Sequence, residues 1–160
     1  MAVDVAVPVT GSDDIVVARQ AGRDLAESLG FSLTDITLIA TAISELARNI
    51  TSYTNGGEMR LRTVDEHGRT GLVVEAIDSG PGIADVDRAL EDGYSTGAGM
   101  GLGLPGARRL MDEFEIRSVV GRGTTVIMKK WAPASVWDRR IRPDRMGCCR
   151  AAVAGRGRIR

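Results

Sequence analysis

Residues 36 to 50 read Ile-Thr-Leu-Ile-Ala-Thr-Ala-Ile-Ser-Glu-Leu-Ala-Arg-Asn-Ile, and no other run constrains the fold as much. Ile36, Ile39, Ala40, Ile43, Leu46, Ala47 and Ile50 recur every three or four residues, which is the stripe of a helix lying on a core. The other side carries the polar groups. Glu45 and Asn49 are four apart, so on a helix they stand one above the other, roughly 40° apart in projection at about 100° per residue. A carboxylate can accept a proton or orient a nucleophile, and an amide carbonyl is a hard oxygen ligand suited to Mg²⁺. Taken alone, Glu and Asn on the exposed side of an amphipathic helix read as solvated surface.

The length of 160 residues, 43% of them hydrophobic and 26% charged, fits one globular domain with a core of its own. Aromatic residues make up only 4%, so Val, Leu, Ile and Ala must fill that core. No run approaches the roughly 18 to 20 apolar residues of a membrane span. The opening Met-Ala-Val-Asp-Val-Ala-Val lacks a basic leader and alternates like a strand, so a cytoplasmic location without a membrane partner is expected. Cys148 and Cys149 are adjacent, which suits neither a disulfide framework nor a spaced zinc site; free thiols are expected. Charge is unevenly placed. Residues 1 to 131 hold 13 Lys+Arg against 19 Asp+Glu, whereas residues 132 to 160 hold 8 Arg against 2 Asp. An acidic folded domain over 1–131 and a basic, disordered tail over 132–160 are therefore expected. Nucleic-acid or membrane binding by that tail is the weaker reading, because it lacks an amphipathic pattern.

In chain order, Val3, Val5, Val7 and Val9 alternate as a half-buried first strand. Ser12 or Asp13 can cap a helix running to about Leu29, with Ile15, Val16, Ala18, Ala21, Leu25 and Leu29 near one face and Gly30 as its stop. Ser32-Leu33-Thr34-Asp35 opens the central helix, which should end near Thr54 before the Asn55-Gly56-Gly57 turn. Glu58 to Val64 and Leu72 to Ile77 read as strands joined by a turn over residues 65–69, which leaves the sole histidine, His67, at a loop tip unsuited to catalysis. Residues 84–92 can form a short acidic helix. Pro105 suits the first turn of a helix reaching about Phe114, and strands over 115–120 and 124–131 close the pattern.

The run Gly97-Ala98-Gly99-Met100-Gly101-Leu102-Gly103-Leu104-Pro105-Gly106 invites a phosphate-binding reading, since glycines let amides approach an anion and a helix start follows. Gly101, Gly103 and Gly106 match G-x-G-x-x-G, but no strand precedes them and no acidic residue lies about 20 positions on, so the Rossmann reading is weak. A P-loop is excluded, because no Gly-Lys-Ser or Gly-Lys-Thr occurs.

Four motifs stand in order: Glu45-x-x-x-Asn49, Asp78-x-Gly80-x-Gly82, Gly99-x-Gly101-x-Gly103 and Gly121-x-Gly123-Thr124. Together they resemble the Bergerat-fold ATPases, the superfamily of histidine kinases, Hsp90, gyrase and MutL. Within it, Ser-Glu-Leu-Ala-Arg-Asn-Ile, Asp-Gly-Tyr-Ser-Thr-Gly and Gly-Leu-Pro-Gly-Ala-Arg-Arg-Leu-Met-Asp-Glu-Phe are similar to the small anti-sigma-factor-type serine-protein kinases, above all to the RsbT-type switch kinases. The resemblance covers about residues 3 to 131. It implies ATP and Mg²⁺ as cofactors, with Glu45 orienting or deprotonating the attacking hydroxyl and Asn49 ligating the metal. It further implies that Asp78, helped by Thr124, accepts from the adenine amino group. Gly80, Gly82 and Ile83 would lie close to the base, and Gly99, Met100, Gly101, Leu102 and Gly103 would present backbone to the phosphates. Residues 84–100 would then be a lid. No lysine lies in the glycine loop, so Mg²⁺, the helix N-terminus or Arg48, Arg108 and Arg109 must neutralise charge.

The expected fold is an α/β two-layer sandwich, a mixed and mostly antiparallel sheet with helices on one face. The function implied by the resemblance is ATP-dependent phosphorylation of a serine on a STAS-domain antagonist, coupled to activation of a PP2C-type phosphatase. An anti-sigma factor that sequesters a sigma subunit is the alternative, and a nucleotide-regulated adaptor without transfer is the second.

Overall fold

Alternation along five strands and three- and four-residue spacing along the helices divide the apolar residues between two layers. The computed structural model describes residues 3–91 and 102–134. In order they form β1 (Asp4–Val9), α1 (Ser12–Ser28), α2 (Leu33–Tyr53), β2 (Gly57–Glu66), β3 (Arg69–Asp78), α3 (Val86–Ala89), α4 (Gly103–Leu110), β4 (Glu113–Val119) and β5 (Gly123–Trp131). The strands lie in the order β1-β2-β3-β5-β4, and each neighbouring pair is antiparallel. One face packs beneath the helices: Val7, Val9, Met59, Leu61, Leu72, Val74, Ala76, Val126 and Met128 share a core with Ile36, Ile39, Ile43, Leu46 and Ile50. The opposite face carries charge pairs, among them Arg62 with Glu75 at 3.1 Å and Lys129 with Glu66 at 3.1 Å. No described helix is long and apolar enough to cross a membrane.

α2 begins where its sequence says it should. The Ser32 hydroxyl accepts the Asp35 N–H at 3.1 Å, and the helix ends at the Thr54 cap. The start of α1 differs from expectation. Gly11 occupies the cap position, and Asp14, inside the helix, accepts from the Thr10 N–H at 2.7 Å, the Thr10 hydroxyl at 2.9 Å and the Gly11 N–H at 3.0 Å. These donors, the Thr10 N–H foremost, hold the Asp14 carboxyl below the usual aspartate range. A carboxyl with a lower pKa in the folded state stabilises above its unfolded pKa and loses that contribution as pH falls through the folded value. Asp14→Asn should therefore show a smaller drop in denaturation midpoint than the parent between neutral pH and the acid range. An unchanged drop would show that the cap does not titrate.

Val16 is exposed rather than packed, and Gly22 and Ala26 take the α2-facing positions. The reason is close approach: a Cβ at Gly22 would stand 2.1 Å from Ile43 Cδ1. β2 and β3 run longer than the sequence suggested, because the turn needs only His67 and Gly68, both at positive φ (52° and 74°), a geometry matched to the twist of a hairpin. α3 is four residues rather than nine, capped by Asp85 through the Arg88 N–H. α4 stops at Leu110 instead of Phe114, and β4 begins two residues early. β5 captures the chain there: the Asp112 N–H donates to Lys129 O at 3.0 Å, and the Trp131 N–H donates to the Asp112 carboxylate at 2.8 Å. Cys148, Cys149 and the remainder of the expected tail beyond residue 134 lie outside the described residues.

Candidate active site

The alternation that builds the core continues past it into polar residues. On β3, Leu72, Val74 and Ala76 point to the helices, and Asp78 is next on that side; on β5, Met128 and Val126 lead to Thr124; on β4, Phe114 and Ile116 lead to Ser118. The register sets these residues in one row, with Gly57 opposite Asp78, Asp78 opposite Thr124, and Thr124 opposite Ser118. Directly opposed side chains on one face stand about 5 Å apart. The row thus brings Asp78 and Thr124, which stand in two separate motifs and are expected to act together, side by side at the end of the core.

Asp78 Oδ1 accepts the Gly80 N–H at 2.9 Å, which folds the chain over the strand end, while Oδ2 has no hydrogen-bond partner among the described residues. Gly80 is tight against Thr54, whose Cγ2 a Cβ would meet at 2.6 Å. Gly82 has a φ of 74°, and a Cβ there would stand 2.5 Å from Val119 O. Both glycines therefore let the segment after β3 press against its neighbours. Ile83 is fixed by its N–H, which donates to the Ser118 hydroxyl at 2.7 Å. Gly123 is tighter still, with a φ of 120° and a Cβ position 2.0 Å from Asp78 O. Gly123→Ala should cost about 2 kcal/mol or more of stability, since it combines a strained φ with a backbone clash. Urea unfolding checks this, and a parent-like midpoint would refute the tight packing of β5 on Asp78.

At the other end stands Glu45, which the helix pattern taken alone reads as solvated surface. Glu45 is only 6% exposed, because α4 covers that side of α2. Its Oε1 accepts from Arg48 Nη1 at 2.7 Å and its Oε2 accepts the Gly103 N–H at 3.0 Å. The second bond joins residues 58 positions apart and ties the carboxylate to the first residue of the glycine-rich helix. Asn49, one turn further along α2, is half-buried, and its amide has no hydrogen-bond partner among the described residues. Leu102 precedes α4 and gives it no side-chain cap; Gly103 sits at a φ of 62°. Gly99, Met100 and Gly101 lie outside the described residues, as does most of the expected lid. Of the arginines expected near phosphate, Arg48 is paired with Glu45, and Arg108 and Arg109 lie in the last turn of α4, away from Gly103.

Between these ends α2 runs from Glu45 to Thr54, about 13 Å at 1.5 Å per residue. A cavity of about 510 Å³ opens beside the Asp78 end, lined by Ser52 to Gly56 and by Ser79, Gly80 and Pro81, with Asn49, Asp78 and Thr124 outside its lining. Asn49 fits one metal role well. Among the described residues no cluster of three or more His, Cys, Asp or Glu could hold an ion. A single amide oxygen matches Mg²⁺, which keeps waters and phosphate oxygens as its other ligands.

Sequence reasoning missed Ser118, Thr54 and the pairing of Arg48. Ser118 had a signal: a serine at an inward position of the alternating run Phe114, Ile116, Ser118. Arg48 had one too, three residues after Glu45.

A family profile described as a histidine kinase-like ATPase domain matches residues 11–130. The chain is 52% identical over 118 residues to the serine/threonine-protein kinase RsbT of Bacillus subtilis (strain 168), an alignment covering 74% of this chain and 89% of that one. It is 34% identical over 122 residues to an anti-sigma F factor of Caldanaerobacter subterraneus, covering 71% of this chain and 82% of that one. A crystal structure of the RsbU and RsbW domains of Rv1364c from Mycobacterium tuberculosis superposes with a TM-score of 0.56 at 18% identity. That match covers 84% of this chain and 34% of the other, and it speaks to the fold.

Proposed function

The chain belongs to the histidine kinase-like ATPase domain family, alongside the serine/threonine-protein kinase RsbT, and from that premise we propose that it transfers phosphate from ATP to a serine of a STAS-domain partner. The observation that carries this reading is the bond from Gly103 N–H to Glu45, which sets a buried carboxylate against the start of the glycine-rich helix. Phosphoryl transfer asks mainly for positioning and charge neutralisation; these residues would supply the positioning, and a Mg²⁺ ion held by Asn49 would supply the neutralisation. Asp78 Oδ2 and Thr124 Oγ1 offer acceptors to the adenine amino group. Backbone amides of Gly99, Met100, Gly101 and Leu102 hold phosphate oxygens, whereas the Gly103 N–H, expected among them, is given to Glu45 Oε2 at 3.0 Å. Asn49 holds Mg²⁺, which when bound screens the phosphate charge. Glu45 orients the serine hydroxyl and takes its proton, and Arg48 keeps that carboxylate aimed. The location proposed is cytoplasmic.

We further propose that the kinase is a switch, held by its STAS-domain partner until it phosphorylates it, then free to activate a PP2C-type phosphatase. Incubating the protein with labelled Mg-ATP and STAS-domain candidates should label a serine on one of them; a protein that binds ATP and labels none is an adaptor. The anti-sigma reading draws on the anti-sigma F relatives and predicts co-purification with a sigma subunit instead. The working domain is proposed to end with β5. Ala132 still donates its N–H to Thr70 O at 2.9 Å, so a chain cut after Ala134 keeps every described strand contact. It should retain ATP binding and labelling within about twofold, a difference of about 0.4 kcal/mol. Lost labelling in the shortened chain would place part of 135–160 in the working domain.

A further inference from the structure

We propose that Ser118 is a positioning residue that fixes the direction of the Thr124 hydroxyl, and with it the preference of the pocket for a 6-amino over a 6-oxo purine. This rests on the nucleotide-binding reading above. The Ser118 hydroxyl meets three groups at once. It accepts the Ile83 N–H at 2.7 Å, it lies 3.3 Å from Gly123 O, and it lies 2.8 Å from Thr124 Oγ1.

A hydroxyl has one proton and two acceptor lone pairs, and a carbonyl oxygen can only accept. If Ser118 gives its proton to Gly123 O, its two lone pairs receive the Ile83 N–H and the Thr124 O–H, and all three contacts become hydrogen bonds. If Ser118 instead donates to Thr124, the Gly123 contact is lost and the Thr124 proton turns away from Ser118. The first arrangement makes one bond more. Thr124 is only 9% exposed, so an unused bond there is not made up by bulk water.

In that arrangement Thr124 presents lone pairs and no proton. Its row neighbour Asp78 likewise presents Oδ2, which has no hydrogen-bond partner among the described residues. Two acceptors side by side match the two hydrogens of an exocyclic amino group, whereas the oxygen of a 6-oxo purine would add a third acceptor to the same spot. Ser118 thus does for Thr124 what the Gly80 amide does for Asp78: each neighbour occupies one part of the group and leaves acceptors for the base. The Ser118 hydroxyl is engaged with Ile83, Gly123 and Thr124, and its proposed effect on the base passes through Thr124.

The test is titration of the full chain with Mg-ATP and with Mg-GTP by calorimetry. With Ser118→Ala, Thr124 loses its acceptor and can turn its proton to the base, so the ratio of ATP to GTP affinity should fall about tenfold, the worth of one hydrogen bond. Ser118→Thr, which keeps the hydroxyl, should restore the ratio. In a Thr124→Val background, Ser118→Ala should leave the ratio where Thr124→Val put it. Equal weakening of ATP and GTP by Ser118→Ala, or an undiminished further effect in the Thr124→Val background, would overturn the proposal and leave the nucleotide site standing. Should Ser118→Ala fail to fold, Thr124→Val alone must narrow the ratio, and an unchanged ratio there overturns the proposal. A parent chain that binds neither nucleotide would sink the nucleotide reading and this inference together.

Discussion

Asp78→Asn is expected to weaken Mg-ATP binding by on the order of 100-fold, close to 3 kcal/mol, while leaving the fold intact. Asn conserves size and can still accept the Gly80 N–H through its carbonyl oxygen, so the turn after β3 survives. What changes is the atom not held by Gly80. With Oδ1 committed to Gly80, the second position becomes an NH₂ group, a donor set against the donor it should receive. The site loses a charge-assisted hydrogen bond and gains an unpaired polar contact in a half-buried place. Calorimetry against Mg-ATP, with circular dichroism as the fold control, checks this. Parent-like affinity in the variant would remove Asp78 from the base-recognition role.

Glu45→Ala should lower phosphate transfer by about 10²- to 10⁴-fold, the usual worth of a positioned general base, with ATP affinity changed far less. The structure adds a cost that the helix pattern does not reveal. Glu45 receives Arg48 on one oxygen and the Gly103 N–H on the other, so truncation also leaves the start of α4 without its partner on α2. A loss of about 1 to 3 kcal/mol in stability is expected alongside the loss of transfer. Glu45→Gln separates the two effects: its amide oxygen can still accept from Gly103, restoring much of the stability, but it is no base. If Glu45→Gln transfers phosphate at the parent rate, the proton goes elsewhere and Glu45 is only a strut.

The elements were legible because their signals are local. The stripe from Ile36 to Ile50 is buried as its spacing requires, and the Ser32 cap and the alternation of β1 need nothing beyond neighbours in the chain. Element ends were less legible wherever a distant partner sets them. The α4 helix stops at Leu110 because β5 binds the backbone and carboxylate of Asp112, and nothing between Pro105 and Phe114 announces that.

For the site, the sequence by itself determined which residue types stand in which order: a carboxylate and an amide one helical turn apart, an Asp-x-Gly-x-Gly run, a glycine-rich helix start and a Gly-Thr strand start. Only the tertiary structure decided how they meet. Pairing register across β3, β5 and β4 placed Asp78, Thr124 and Ser118 in one row, and a slip of one residue would have turned Thr124 to the other face. The burial of Glu45 was likewise a tertiary matter. Its helix alone puts it opposite the apolar stripe, and it lies beneath protein because α4, some 58 residues later, closes over it and donates an amide to its carboxylate. Spacing along a helix fixes which side a group is on, but whether that side meets water or another element depends on long-range packing.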